Sequence, residues 1–269
     1  FCIIGDGESR EGQNWEAVDF LRDHGLKNVC PIFNCNEYGQ SGVVSAQQGS
    51  GVTAAKLEAA GFTAVTVDGH NPAAIQQALS THAQAAPDPQ AAPVAIIVNT
   101  VKGWGSPSQQ GHGHHGKPVD GEALAQVLGE LDETAHQIGA AIDTPLKPAM
   151  MNGTKPVVAE PGVLISFPEV AQQFGLKLDP EKGMATRRAY GVALRALGHA
   201  RGNVVALDAD VKNSTFAEDF YKDEQLTGRF FESGIAEQNM VSVAVGLGAG
   251  PPPAAASHST PLVHTSSVR

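Results

Sequence analysis

Positive charge is scarce in this sequence. Its 269 residues include 18 lysines and arginines against 28 aspartates and glutamates, a formal net charge of −10. A protein that binds the nucleic-acid backbone needs a positively charged face, so this balance argues against a nucleic-acid partner. No apolar run approaches the roughly 20 residues that span a bilayer, so no membrane partner is expected either.

Cysteines and aromatic residues are also few. The three cysteines are Cys2, Cys30 and Cys35, and no two of them form a CxxC pair. We therefore expect buried free thiols in a reducing compartment, and hence a cytoplasmic protein, rather than disulfides or zinc ligands. Aromatic residues make up 6% of the chain, so the predicted core is aliphatic and rich in alanine.

What the sequence does contain is an alternation of short apolar runs and helical patterns. Its first half predicts strands at 1–4, 28–33, 62–67 and 94–98, with helices at 14–24, at 53–60 and from Pro72. Such alternation is typical of right-handed βαβ units, so the predicted fold class is α/β with a parallel sheet covered on both faces.

Proline divides the chain into two parts. The segment 143–183 carries six prolines, which is typical of an inter-domain linker. After it, helices are predicted from Thr186, which can cap its helix, and from Glu237, with strands at 203–207 and 229–232. Residues 251–269 lack periodicity and are predicted to be a disordered tail. The predicted divisions are therefore 1–142, 143–183, 184–250 and 251–269.

The stripe predicted for the helix at Thr186 is apolar and continuous. It consists of Tyr190, Ala193, Leu194 and Leu197.

The sequence begins with Phe1, which lies directly inside an apolar run typical of a strand. We therefore expect this chain to be a piece of a larger protein.

The most informative motif is Gly5-Asp6-Gly7 at the end of the first strand, followed by Asn36 just past the second. Parallel neighbouring strands would bring Asp6 and Asn36 to the same carboxyl edge, where open α/β sheets bind ligands. Carboxylate and amide oxygens suit Mg²⁺, and Gly7 lets the backbone approach a diphosphate. An ordinary turn is the alternative. A dinucleotide fingerprint is disfavoured, because its third glycine and its acidic ribose ligand are not in place.

The segments 5–12 and 34–36 resemble the thiamine-diphosphate signature of the transketolase family. Five later segments are similar to transketolases in order and spacing: 100–103, 115–118, 185–190, 212–216 and 235–240. The resemblance covers residues 1–250. It implies a parallel-sheet thiamine-diphosphate-binding fold, in which part of a diphosphate-binding domain is joined by the Pro-rich linker to the first half of a pyrimidine-binding domain.

The resemblance also implies the ligands of the cofactors in the first domain. Asp6, Asn36 and the backbone carbonyl of Tyr38 match the Mg²⁺ ligands, and Gly7 and Asn36 match contacts of the diphosphate. Lys102 matches a position beside the cofactor. His115, in addition to its cofactor contact, matches a position near the substrate and is a candidate catalytic residue.

In the second domain the resemblance implies two further functions. Arg187 and Ser214 match the pair that holds the phosphate of the sugar substrate, a task that suits the geometry of arginine. Glu237 matches the catalytic glutamate that hydrogen-bonds the aminopyrimidine ring of the cofactor. Because Glu237 begins an apolar helix directly after a strand, we expect its carboxyl group to be buried. Each of these residues has an alternative interpretation. Arg187 could be a solvated side chain in the first turn of its helix, and Ser214 could be a turn residue or a helix cap. Glu237 could be a carboxylate that interacts with the dipole at a helix N-terminus.

The implied function is transfer of a two-carbon glycolaldehyde unit from a ketose phosphate to an aldose phosphate, with thiamine diphosphate and Mg²⁺. The implied partners are sugar phosphates and a second subunit, in a homodimer with shared sites. Because the preceding part of the first domain and the end of the second are missing, this fragment itself is expected to be inactive. Two alternatives stay open: a non-catalytic partial subunit that binds a cofactor or partner, and, from Asn34-Cys35-Asn36, the decarboxylating component of a 2-oxo acid dehydrogenase.

Overall fold

The computed structural model describes residues 1–140, 166–176, 181–249 and 260–263. The chain divides into two compact units, Phe1–Met151 and Asn152–Arg269. Each unit has a parallel sheet and hydrophobic clusters of its own. Across the described residues, no helix is both long and apolar enough to cross a bilayer.

The first unit has a four-stranded sheet in the order β1-β2-β4-β3, in which every neighbouring pair is parallel. This arrangement confirms the predicted α/β class. Its elements are β1 (Cys2–Gly5), α1 (Gly12–Asp23), β2 (Pro31–Cys35), α2 (Ser50–Ala59), β3 (Thr63–Asp68), α3 (Pro72–Ala85), β4 (Val94–Asn99) and α4 (Gly121–Gln137).

Apolar clusters cover both faces of this sheet. On one face Phe33 is fully buried and belongs to the same cluster as Leu57 of α2. On the other face Ile96 clusters with Ala78 of α3. The central strand β4 is buried on both faces, which is why its sequence is apolar without interruption over Val94–Ile97.

Helix α1 matches its prediction. Val18 is buried, and Trp15 and Leu21 pack against the same cluster as Val18. Gly25 has a φ of 61°, the left-handed conformation that ends a helix and that glycine adopts without a steric penalty.

Helix α4 was not predicted from the sequence. Its side chains Leu124, Leu128 and Leu131 are exposed, so the hydrophobic packing that normally stabilises a helix is weak here. Polar contacts attach it to the preceding loop. The Glu130 carboxylate accepts hydrogen bonds from the hydroxyl of Ser106 (2.6 Å) and from the N–H and hydroxyl of Ser108 (3.0 and 2.8 Å). These bonds, led by that of Ser106, lower the pKa of Glu130 to about 2.

The second unit has a smaller parallel sheet in the order β6-β5-β7. Its core includes Leu194, Val204 and Phe220 on one face and Leu207 and Met240 on the other. Its elements are α5 (Phe167–Gln173), α6 (Thr186–Ala200), β5 (Val204–Asp208), α7 (Lys212–Thr215), α8 (Glu218–Tyr221), β6 (Phe230–Glu232), α9 (Glu237–Ala249) and β7 (Thr260–Val263).

Several details of this unit differ from the predictions. Helix α5 lies within the predicted linker 143–183, and β7 lies within the tail predicted to be disordered. The rest of that tail and most of the linker fall outside the described residues. Thr186 is the first residue of α6 and not its N-cap. The N-cap residue is Ala185, whose side chain cannot form a capping hydrogen bond. Ala193 is exposed, because α6 buries the neighbouring small residues instead.

Two of those small residues, Gly191 and Gly198, are glycines that allow α6 to pack closely against the residues that follow β5. A Cβ on Gly191 would lie 2.5 Å from the Cβ and from the backbone oxygen of Phe216. Phe216 has a φ of 63°, so the backbone at this contact is already in a conformation that non-glycine residues rarely adopt. The contact therefore has little freedom to relax.

We expect Gly191→Ala to destabilise the second unit by about 1–3 kcal/mol, because the added methyl group overpacks the contact with Phe216. The free energy of unfolding, measured by urea denaturation of the full chain, tests this. Gly246→Ala is the matched control, because a Cβ added to Gly246 in α9 would meet no atom of another element within 4 Å. Equal stability of the two variants would contradict the prediction.

Asp223 is the centre of a buried polar network in the second unit. Its carboxylate accepts hydrogen bonds from Nε of Arg195 (2.6 Å) and from the N–H of Gln225 (3.0 Å), and lies 2.7 Å from Nε2 of His199. Burial alone would raise the pKa of Asp223, but the hydrogen bonds from Arg195, His199 and Gln225 lower it to about 2.

A pH dependence follows for Asp223. Its folded-state pKa of about 2 lies below the ordinary value of 3.8, so the carboxylate stabilises the fold above that ordinary value. This stability is lost as the pH falls toward 2. Asp223→Asn should therefore flatten the acid side of the stability profile, measured by urea denaturation between about pH 2 and pH 6. Glu224→Gln, an exposed neighbour, is the control and should retain the wild-type slope.

Candidate functional site at the carboxyl edge of the first sheet

A cavity of about 540 Å³ lies at the carboxyl ends of the strands in the first unit. Asp6 follows β1, Asn36 follows β2, and Lys102 follows β4. All three line the cavity, together with Tyr38 and Gln48. The prediction that Asp6 and Asn36 meet at one sheet edge is thus confirmed, because β1 and β2 are parallel neighbours.

The Asp6 carboxylate organises the backbone of this edge. Only 3% of Asp6 is exposed. Its Oδ1 accepts a hydrogen bond from the N–H of Gly7 (2.7 Å), and its Oδ2 accepts bonds from the N–H groups of Asn36 (2.9 Å) and Glu37 (2.6 Å). Glu37 has a φ of 68°, a conformation in which its N–H reaches the carboxylate. One side chain therefore joins the loops that follow two strands.

The other predicted residues of this edge lie close by. The Asn36 Oδ1 accepts a hydrogen bond from the N–H of Tyr38 (3.0 Å), and Nζ of Lys102 donates to the carbonyl of Gly39 (2.7 Å). Gly7 approaches the same loop, since a Cβ at Gly7 would lie 3.7 Å from the Cα of Gly39. The site thus combines an anionic and a cationic side chain with closely packed backbone.

The cavity also includes Cys35, whose surroundings disfavour the thiolate form. Burial, with a smaller contribution from the charge of Asp6, raises the pKa of Cys35 to about 11, and burial raises that of Cys30 to about 11. Both are free and buried, as predicted. Cys2 is free but exposed, so the expectation of burial is wrong there, because β1 is an edge strand.

His115 lies apart from this cavity. It is exposed, in the loop that also contains His112 and His114, and it is not among the described residues that line the cavity. His112 contacts the loop that follows β2, because its Nε2 lies 2.8 Å from the carbonyl oxygen of Ser41. Among the described residues, no cluster of three or more His, Cys, Asp or Glu side chains could hold a metal ion.

In the second unit, Arg187 and Ser214 lie on adjacent helices. The Arg187 guanidinium lies 5.8 Å from the ring centroid of Phe216, two residues beyond Ser214, whose hydroxyl donates to Oδ1 of Asn213 (3.3 Å). The neighbouring Arg188 points to a different partner and forms an ion pair with Asp219 (2.5 Å). The helices α6 and α7 thereby bring Arg187 and Ser214 to the same part of the unit.

Glu237 is the first residue of α9 and is only partly buried. The expectation of a buried carboxyl group is therefore wrong for the described chain. The side chain instead lies at the positive end of the helix dipole, which favours a carboxylate there. The flanking Ile235 is 67% exposed, so this end of α9 is only partly covered within the described unit.

Sequence reasoning missed Asp208 and Glu232, which follow or end strands of the second sheet. Asp208 is fully buried; its Oδ1 accepts from the N–H of Val211 (2.7 Å), and burial raises its pKa. Glu232 forms an ion pair with Lys212 (2.6 Å) and accepts from the N–H groups of Asp210 and Gly234. A signal existed for Asp208, because it follows an apolar strand as Asp6 does.

Gln48 was missed as well. Its side chain is buried, and its Nε2 donates to the backbone carbonyls of Asp6 (2.8 Å) and Gly7 (3.1 Å). The pattern Ser45-x-x-Gln48 is that of a capping box, and the structure contains this box. The pattern indicates a local helix start, however, and not a contact with a loop far away in the chain.

Fold and site together define a class: an α/β protein with a polar ligand site at the carboxyl edge of a parallel sheet. Comparison with known families narrows it. Residues 1–155 match the family model "Transketolase, thiamine diphosphate binding domain", and residues 182–259 match "Transketolase, pyrimidine binding domain". The chain belongs to the transketolase family.

Individual relatives agree with this assignment. Transketolase-like protein 2 of Bos taurus is 39% identical over 247 residues, which are 91% of this chain and 37% of that protein. The transketolase structure from Campylobacter jejuni aligns with a TM-score of 0.63 at 20% identity, over 98% of this chain and 42% of that one. One from Pichia stipitis aligns with 0.60 at 18%, over 92% and 41%. The chain thus spans little more than a third of the length of the curated relative.

We expect Asp6→Asn to destabilise the first unit by about 1–3 kcal/mol, because an amide cannot accept all three N–H bonds with a full negative charge. Urea denaturation of the ligand-free chain measures the loss. Asp19→Asn on the exposed side of α1 provides the control and should change stability by less than about 0.5 kcal/mol. A wild-type midpoint for Asp6→Asn would show that the carboxylate does not organise this edge.

Proposed function

We propose that this chain serves transketolase-type transfer of a two-carbon glycolaldehyde unit from a ketose phosphate to an aldose phosphate, with thiamine diphosphate and Mg²⁺. The observation that carries the proposal is the Asp6 site, at the sheet edge of a domain that matches the thiamine diphosphate-binding family model. The Pichia stipitis transketolase structure is a complex with sedoheptulose 7-phosphate, which supports sugar phosphates as the substrate class.

The donor atoms of the site fit Mg²⁺. The proposed ligands are the Asp6 carboxylate, the Asn36 Oδ1 and the Tyr38 backbone carbonyl, all of them hard oxygen donors. A carboxylate offers roughly four lone-pair positions, and three N–H groups occupy three of those of Asp6. One position therefore stays available for a metal ion that shares its other ligands with a diphosphate.

The residues around these ligands fit a diphosphate. Gly7 has no side chain that could block the approach of a phosphate group to the backbone. Lys102 contributes a positive charge to the same cavity. His115 is proposed to contact cofactor and substrate from its own loop. When bound, thiamine diphosphate supplies the chemistry that breaks and forms the carbon–carbon bond next to a ketose carbonyl.

The second unit is proposed to contact the sugar phosphate and the aminopyrimidine ring of a cofactor. Arg187 donates to phosphate oxygens in the paired geometry that suits a guanidinium, and Ser214 adds a hydroxyl donor. Glu237 shares a proton with a ring nitrogen of the aminopyrimidine, which makes it the proposed catalytic carboxylate. A carboxyl group does this best away from water, so Glu237 needs a covering surface.

That covering surface is proposed to come from a second subunit. Helix α9 exposes Val241 and Val245 one turn apart, with 66% of Val245 accessible, and Ile235, just before the helix, is exposed as well. An apolar strip of this kind, on a helix that begins with the proposed catalytic residue, supports a homodimer with shared sites.

A cytoplasmic location is also proposed, and the free thiols of Cys30 and Cys35 agree with it.

Calorimetry tests the cofactor part of the proposal. Titration of thiamine diphosphate with MgCl₂ into the purified chain should give saturable heat. Lys102→Met should weaken binding roughly 10- to 100-fold, since one charged hydrogen bond contributes about 1.5–3 kcal/mol. Lys222→Met, which removes an exposed lysine of the second unit, is the charge-matched control.

Two further outcomes are informative. No heat in the presence of Mg²⁺ would contradict the cofactor proposal and leave at most a partner-binding function. Transfer of a two-carbon unit from xylulose 5-phosphate to ribose 5-phosphate by this chain would overturn the expectation that it is inactive alone.

A further inference from the structure

Gln48 lies at the centre of a second set of contacts around the Asp6 loop. It is 8% exposed and ends a short 3₁₀ helix, Ala46–Gln48. Its Nε2 donates to the carbonyls of Asp6 and Gly7, and its Oε1 accepts from the N–H of Ser45 (3.2 Å). Three of the hydrogen-bonding positions of one buried amide are thus used on backbone.

The two carbonyls held by Gln48 fix the peptide planes of the loop. In a trans peptide the C=O and the following N–H point to opposite sides. Holding the Asp6 carbonyl therefore fixes the direction of the Gly7 N–H, which donates to Oδ1 of Asp6. The hydroxyl of Ser9 donates to the same Asp6 carbonyl (2.7 Å), so this oxygen has two donors.

Holding the Gly7 carbonyl has a separate consequence for an anionic ligand. A free carbonyl at this glycine can rotate toward the cavity, since glycine permits many backbone conformations. A carbonyl oxygen turned toward a phosphate oxygen would repel it, whereas an N–H would attract it. The bond from Gln48 (3.1 Å) opposes this rotation, together with a longer bond from the N–H of Arg10 (3.3 Å).

We propose that Gln48 is a positioning residue, which keeps the Asp6–Gly7 backbone in the conformation that binds the metal and the diphosphate. The inference rests on the proposed cofactor site and adds a residue to it. Gln48 acts through Asp6 and Gly7 by donating two N–H bonds from the segment that precedes α2. Although Gln48 lines the cavity, the two bonds act through the backbone of Asp6 and Gly7.

Three variants of the full chain separate this function from simple packing. Gln48→Ala removes the amide, and Gln48→Glu keeps its shape while replacing the donor with a carboxylate oxygen. Gln47→Ala is the control, because Gln47 is the exposed neighbour on the same turn and its backbone carbonyl, which accepts from Lys56, is kept in the variant. Denaturation midpoints first establish that all variants are folded at the working temperature.

Amide hydrogen exchange of the ligand-free chain is the first readout. Exchange at Gly7, Asn36 and Glu37 should be about 5- to 30-fold faster in both Gln48 variants, the factor for one or two kcal/mol of lost local stability. Exchange within β2 and β4 and in Gln47→Ala should equal that of the wild type. Unchanged exchange at Gly7 in Gln48→Ala would overturn the inference.

Calorimetry with thiamine diphosphate and MgCl₂ is the second readout. Both Gln48 variants should bind roughly 10- to 100-fold more weakly, as is typical when residues behind a metal ligand are replaced. If the isosteric Gln48→Glu binds like the wild type, packing alone explains Gln48 and the inference is wrong. If the wild-type chain binds no cofactor, the proposed function fails, and the exchange rates still decide whether Gln48 positions the loop.

Discussion

The Asp6 carboxylate is the interaction on which the first unit's ligand edge depends. A buried ionised carboxylate is costly unless hydrogen-bond donors surround it, and here three backbone N–H groups do so. The same bonds satisfy N–H groups at the ends of two strands, where the sheet no longer supplies partners. The loops after β1 and β2 are therefore held by one charge.

A comparison with Asp208 shows how much the N–H donors around Asp6 matter. Like Asp6 it lies at the carboxyl end of an apolar strand in a parallel sheet, and it is even more completely buried. Its Oδ2, however, has no partner among the described residues, and burial raises its pKa. The nearby positive charge of Lys212 is directed to Glu232 (2.6 Å). The two aspartates thus differ in their donors: both oxygens of Asp6 accept from backbone N–H groups, two of which come from the loop after the neighbouring strand, whereas Oδ2 of Asp208 has no such donor among the described residues.

The sequence predicted the parts of the fold that depend on periodic burial. Each described strand of the first unit lies within a few residues of its predicted position, and the meeting of Asp6 with Asn36 follows from that topology. The helix α4 was missed although Leu124, Leu128 and Leu131 recur at helical spacing, and its attachment through Glu130 to the loop at Ser106 could not be predicted from any local pattern. Gln48 escaped detection for a related reason: a side-chain bond to a distant backbone carbonyl leaves no local pattern.

The two units also differ in how far their sites are complete. At Asp6 the carboxylate, the Gln48 amide and the Lys102 ammonium group each have a partner within the unit, so residues 1–140 are sufficient for the proposed metal and diphosphate end. At Glu237 the helix N-terminus and the apolar strip of α9 face outward. A carboxylate in water does not share a proton as a buried one does, because water stabilises its charged form. The chemistry proposed for Glu237 therefore requires a surface that covers α9, whereas cofactor binding at Asp6 does not.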